Sequence, residues 1–190
     1  MRDISLPEEY PEGRTKGGPE MDGTLAAIAL IVGLTDMGLN YCGTGCVAPN
    51  GVDSRIAISG GSVLFQENRI GEELYLRYEF GTAYGPFQPA VGLSATSNGD
   101  YWAGIGAVWT THFPGDDVFI QFHVMPGLYA QGDGPDLGHE LQIRSGFEIG
   151  FEANNGWRWG IAYDHRSNAD IAALNPGMET LQLRLSIPLD

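Results

Sequence analysis

The chain reads as an all-β protein, an eight-stranded antiparallel transmembrane β-barrel of the outer-membrane type. Three observations predict it. From about Arg55 onward, apolar and polar residues alternate in one run after another, the period-two signature of strands. Clusters of Gly, Pro, Asn and Asp separate the runs, as turns require. Each run is roughly 10 residues long, which suits a tilted strand crossing a bilayer and exceeds the usual strand of a soluble domain.

The runs follow in order. Arg55–Phe65 opens the series, and Glu73–Phe80 sets Leu74, Leu76, Tyr78 and Phe80 against Glu73, Tyr75, Arg77 and Glu79. Phe87–Ala95 and Tyr101–Phe113 come next, the latter with Tyr101, Ala103, Ile105, Ala107 and Trp109 on one face. Val118 to Tyr129 forms the fifth run and His139–Glu152 the sixth, with Leu141, Ile143, Phe147, Ile149 and Phe151 opposite Glu140, Gln142, Arg144 and Glu148. Trp157–Ser167 and Glu179–Leu189 close the set. Turns fall at Tyr84-Gly85-Pro86, Asn98-Gly99-Asp100, Pro114–Asp117, Gly132–Gly138 and Asn154-Asn155-Gly156. Alternation alone does not say which face points inward. Long, even strands and aromatic residues near strand ends favour an apolar face turned to lipid. Inward Glu79, Glu140, Glu148, Arg77, Arg144 and Arg184 are then expected to pair inside a barrel small enough to be filled by side chains. The competing arrangement is a soluble lipocalin-like barrel with the faces reversed.

The remainder divides the chain into residues 1–50 and a barrel over 51–190. Residues 1–20 are rich in Pro, Gly and Glu without periodicity and are expected to be a disordered tail. The apolar run Thr24–Leu34 has the length of an export-signal core but lacks a clean n-region and cleavage site. An export signal, a mis-called start and a short helix packed at the barrel end stay open. Cys42 and Cys46 flank two glycines and a threonine, and either a small disulfide or two free thiols fits. No metal or cofactor is expected, because no His or Cys set has ligand spacing. A net charge of −14 excludes a nucleic-acid partner, since phosphate contacts need Lys and Arg.

Chemistry concentrates in Asp164–Glu179. In Trp157–Ser167 the period of two carries His165 and Ser167 onto the face of Trp159, Ile161 and Tyr163. Residues two apart on one face stand roughly 6.5–7 Å apart at Cα, a gap that a His ring and a Ser hydroxyl can span. Glu179 begins the next antiparallel run on the same face. A serine, a base and an orienting carboxylate make an activated oxygen nucleophile. The roles are therefore Ser167 as nucleophile, His165 as general base and Glu179 as orienting acid. Oxyanion donors are expected from the Asn168 amide or from backbone N–H groups of 168–177. The plain alternative is an inert H-x-S pair on a non-catalytic barrel, yet three polar groups on a lipid-facing stripe are costly without a purpose. Asp164 points inward and ranks below Glu179. His112, His123 and His139 are read as structural, and Asp116-Asp117 as a solvated turn.

The stretches H-R-S-N-A-D (165–170), N-P-G-M-E (175–179) and L-S-I-P-L (185–189) resemble the C-terminal signature of the lipid A 3-O-deacylase (PagL-type) family, H-x-S-N followed by N-x-G-x-E. Glu140–Phe151 is similar to the strand before that motif. The resemblance covers residues 55–190 in layout and is specific in the last third. It implies an outer-membrane barrel with an external serine-esterase triad of His165, Ser167 and Glu179, supported by Asn168 and, more weakly, Asn175. It also implies hydrolysis of the ester-linked acyl chain at the 3-position of lipid A, in the outer leaflet of a Gram-negative cell, without a cofactor. Lipopolysaccharide and the outer membrane are then its partners, and a homodimer is left open. Two departures stand out. Arg166 replaces the aromatic residue common between His and Ser, and residues 1–50 match nothing in the family. A phospholipase-like esterase and a non-catalytic small barrel are the alternative functions.

Overall fold

The computed structural model describes residues 24–113 and 117–189. The expected disordered tail, residues 1–20, lies outside the described residues, as do Pro114, Gly115 and Asp116 of one expected turn. The elements run α1 (Thr24–Asp36), a π-helical turn (Met37–Tyr41), β1 (Pro49–Gly51), β2 (Arg55–Phe65), β3 (Asn68–Glu79), β4 (Thr82–Tyr84), β5 (Gln88–Thr96), β6 (Tyr101–His112), β7 (Val118–Ala130), β8 (Leu141–Glu152), β9 (Arg158–Ser167) and β10 (Met178–Pro188). Eight of the strands close into an antiparallel barrel in the order β10-β2-β3-β5-β6-β7-β8-β9. β1 and β4 form a separate two-stranded ribbon.

The two faces settle which side meets lipid. Leu74, Leu76, Leu93, Ile105, Leu128, Ile161 and Leu183 all stand exposed on the outer wall, Leu183 at 71%. Arg77, Glu79, Arg144, Glu148, Asp164 and Arg184 are all buried inside. A protein in water does not expose its leucines and bury its charges in this ordered way; a barrel in a bilayer does. The lumen charges are paired. Arg77 bonds Glu79, and Arg184 bonds Glu148 at 3.0 Å. Aromatic and apolar side chains such as Tyr75, Trp102 and Met125 fill the space between. Glu140 departs from expectation. β8 starts two residues later than the expected run, at Leu141, so Glu140 is exposed in the preceding loop and outside the lumen network.

β3 likewise starts at Asn68, earlier than the alternation alone indicates. The β2–β3 connection is a two-residue turn, Gln66-Glu67, with φ of 48° and 67°. Positive φ at both central residues is the hairpin geometry that matches strand twist. The termini of the barrel lie together at one end. At the opposite end stand the two long loops, 131–140 and 168–177.

α1 is apolar on nearly every side. It lies against the outer wall near β7 and β8, burying Ala29 and Gly33 while Ile28, Ile31 and Leu34 stay exposed. Gly33 is required there, because a Cβ would come within 2.6 Å of the Phe87 ring. Thr24–Tyr41 is long and apolar enough to cross a membrane, a property an export signal shares. Cys42 and Cys46 form a disulfide just beyond.

Candidate active site

β9 and β10 position the site by their register. Glu179 is the direct cross-strand partner of His165, and His165 in turn faces Ser145 on β8. Cross-strand partners bring their Cβ atoms to about 4.5–5.5 Å. The row Ser145–His165–Glu179 therefore spans three adjacent strands. His165 Nδ1 lies 3.1 Å from Glu179 Oε1, which fixes the ring and leaves Nε2 as the working nitrogen. Nε2 is buried and has no hydrogen-bond partner among the described residues.

Ser167 is the last residue of β9, on the same outward face. It pairs with Ile143 of β8, while the β9–β10 ladder ends one residue earlier at Arg166–Met178. No hydrogen bond joins Ser167 to His165 among the described residues. His165 and Ser167 are 5% and 4% exposed, so the outward patch is shielded. Gly177 is one cause. It takes φ +71°, and a Cβ there would come within 2.8 Å of His165 Cε1. The loop backbone thus lies directly on the imidazole.

The loop begins with a tight turn immediately after Ser167. Ile171 N–H donates to Asn168 O at 3.1 Å, and the central residues Ala169 and Asp170 hold φ of 52° and 61°. Non-glycine residues at positive φ are strained and are kept only where their surroundings impose them. The amides of Ala169 and Asp170 make no hydrogen bond among the described residues. Asn168 behaves otherwise. It is fully buried, its amide nitrogen donates to Leu137 O at 2.9 Å and Leu174 O at 2.7 Å, and its backbone N–H donates to Asn175 Oδ1 at 2.9 Å. Its bond to Leu137 holds loop 168–177 to loop 131–140, and its bonds to Leu174 and Asn175 close loop 168–177 on itself. Asn175 also donates to Asp170 Oδ1 at 3.0 Å. Of the five expected site residues, the structure brings His165 and Glu179 into contact, sets Ser167 beside them, and makes Asn168 and Asn175 the staples of the loop.

The histidines read as structural each stand beside a polar group, although neither ring nitrogen of His123 makes a hydrogen bond among the described residues. His112 Nε2 meets Glu152 Oε2 at 2.8 Å, His123 Nε2 lies 3.3 Å from Asp164 Oδ1, and His139 Nδ1 accepts the Leu141 N–H. Asp164 faces the lumen, where Arg144 holds it at 2.5 and 2.8 Å. Among the described residues no His, Cys, Asp and Glu group could hold a metal. Two features escaped the sequence. Ser145 sat on the correct face of its run, but only the β8–β9 register sets it opposite His165. The clamp between the long loops joins residues distant in the chain that share no motif.

These features define a class: a small outer-membrane β-barrel with a polar site on its lipid-facing wall, at the end opposite its termini. The family model for lipid A 3-O-deacylase (PagL) matches residues 70–188, and the chain belongs to that family. No curated protein matches the chain. Among solved structures, the outer-membrane enzyme PagL is similar with a TM-score of 0.60 and 21% identity, covering 71% of this chain and 99% of that one. A de novo designed transmembrane β-barrel is similar with a TM-score of 0.53 and 8% identity, covering 74% and 98%. At these identities the likeness establishes the fold, and the family match carries the relationship.

Proposed function

We propose that this chain is a serine esterase that hydrolyses the 3-O-linked acyl ester of lipid A in the outer leaflet. The observation that carries the reading is the 3.1 Å contact of His165 Nδ1 with Glu179, with Ser167 two residues along on a wall that faces lipid. A hydrolytic site on such a wall receives its substrate from within the membrane, so acyl chains lie along Trp159, Ile161 and Leu181.

The chemistry runs in two halves. Ser167 Oγ attacks the ester carbonyl carbon while His165 Nε2 takes the hydroxyl proton. Glu179 holds the imidazolium that forms. The unengaged amides of Ala169 and Asp170 donate to the oxyanion, in preference to Asn168, whose donors are committed to the loops. Collapse expels the sugar hydroxyl, which takes the proton from His165, and leaves an acyl-serine. Water then attacks the acyl-serine, giving its proton to His165, and collapse returns that proton to Ser167 Oγ as the free fatty acid departs. Nucleophile–base contacts are commonly loose without substrate and tighten on binding, which accommodates the open Ser167–His165 arrangement.

The test uses purified protein in detergent with lipopolysaccharide, measuring released 3-hydroxy fatty acid. Wild type releases it in the presence of EDTA, Ser167→Ala does not, and Ser145→Ala does. Release by Ser167→Ala would make Ser145 or another group the nucleophile. Phospholipids turned over as fast as lipopolysaccharide would favour the phospholipase-like reading instead.

A further inference from the structure

The esterase chemistry uses only the outer face of β9; the inner face carries a separate device. Asp164 and Arg166 alternate with His165 and Ser167 and point into the lumen, where both are buried. Arg166 Nη2 reaches Glu73 Oε2 at 2.5 Å, and its guanidinium stands 5.8 Å from the Trp102 ring centroid. Arg144 of β8 donates to the other oxygen, Glu73 Oε1, at 2.7 Å and also binds Asp164. Gln182 of β10 donates to Glu73 Oε1 at 2.8 Å. One carboxylate from β3 therefore receives a donor from each of the three strands that carry the site row. β3 is hydrogen-bonded to none of them, since β2 stands between β3 and β10 in the barrel order. The contacts cross the lumen.

The place where this brace acts is informative. Ser167 ends β9 with ladder pairing on one side only, and a ten-residue loop follows. Strand ends of this kind fray unless something else holds them. Arg166 is the last lumen-facing residue before the serine, and its bond to Glu73 constrains the strand end from the lumen side, as Asn168 does from the loop side.

We infer that Glu73, acting through Arg166, is a positioning residue for the esterase site, fixing the direction in which His165 and Ser167 project from the wall. This inference rests on the esterase reading above. Buried ion pairs that only fill a barrel would behave differently, and the Arg77–Glu79 pair, equally buried, provides the control.

The experiment uses the full-length protein in detergent micelles, with a fluorophosphonate probe and a p-nitrophenyl acyl ester. Heat-modifiable gel mobility scores the folded barrel. Wild type is labelled, and peptide mass spectrometry places the label on Ser167. Glu73→Gln and Arg166→Met, counted per folded molecule, are expected to label and turn over about 10- to 100-fold more slowly with KM unchanged. Arg166→Lys recovers part of the loss, and Glu79→Gln matches wild type. If Glu73→Gln fails to fold, Arg166→Met and Arg166→Lys decide alone. Folded Arg166→Met that labels at the wild-type rate overturns the positioning role and leaves the esterase reading standing. A loss in Glu79→Gln as large as in Glu73→Gln also overturns it, because the effect would then be general to the lumen. Wild type that takes no label at Ser167 overturns the esterase reading and the positioning role together.

Discussion

The two faces of β9 obey opposite rules. Inside, Asp164 and Arg166 sit among Arg144, Arg184 and Glu73, with charge matched by charge: Arg144 and Arg184 bond Asp164, and Arg166 bonds Glu73. Outside, His165 has one polar contact, to Glu179, on a wall otherwise given to Trp159, Ile161 and other apolar side chains. The inner face ties its charged groups into ion pairs that cross the lumen and so contributes rigidity, although single atoms such as Arg166 Nη1 have no hydrogen-bond partner among the described residues. The outer face leaves Nε2 of His165 unsatisfied. A buried, unpaired ring nitrogen is unfavourable for stability and useful for catalysis, because it is available to take a proton.

Ser167→Ala and His165→Ala should separate the faces most sharply. Each is expected to lower kcat by about 10⁶-fold, the usual cost of losing a triad nucleophile or base, while gel mobility still reports a folded barrel. Glu179→Gln should cost roughly 10⁴-fold, because the imidazole loses its orienting charge and tautomer control. Breaking an inner pair other than Glu73–Arg166 should do the reverse. Arg184→Met leaves Glu148 and Asp164 short of a partner and is expected to lower unfolding stability by about 3–5 kcal/mol, read by urea titration in micelles. Leu183→Arg, on the most exposed part of the wall, should cost about 2–4 kcal/mol through placing a charge in lipid, with activity per folded molecule unchanged. The smallest effect is expected at the end opposite the site. His112→Gln loosens a partly exposed pair with Glu152 and should change stability by less than about 1 kcal/mol.

Much of the barrel was legible because alternation reports which side of a strand a residue occupies. The runs from Arg55 to Leu189 correspond to the eight barrel strands, with edges off by a few residues where Gln66-Glu67 form a tight turn without Gly or Pro. Face assignment carried His165, Ser167 and Glu179 to one side. It could not give the row through Ser145, which depends on the β8–β9 register. Nor could it give the role of Asn168, fixed by carbonyls at Leu137 and Leu174 that the chain brings together only after folding. Glu73 was equally hidden, since its donors come from across the lumen. Glu140 was misplaced because a two-residue change in where β8 begins, from His139 to Leu141, moves its side chain from lumen to loop. The sequence also left the state of Cys42 and Cys46 open, and the structure joins them.

The account stands or falls on whether Ser167 removes an acyl chain from lipid A. The direct measurement is mass spectrometry of lipid A from Gram-negative cells expressing wild type or Ser167→Ala, with both proteins located in the outer membrane. Loss of one hydroxyacyl chain with wild type and an intact lipid A with Ser167→Ala is the predicted result. Unchanged lipid A in both strains, or deacylation in both, would contradict it.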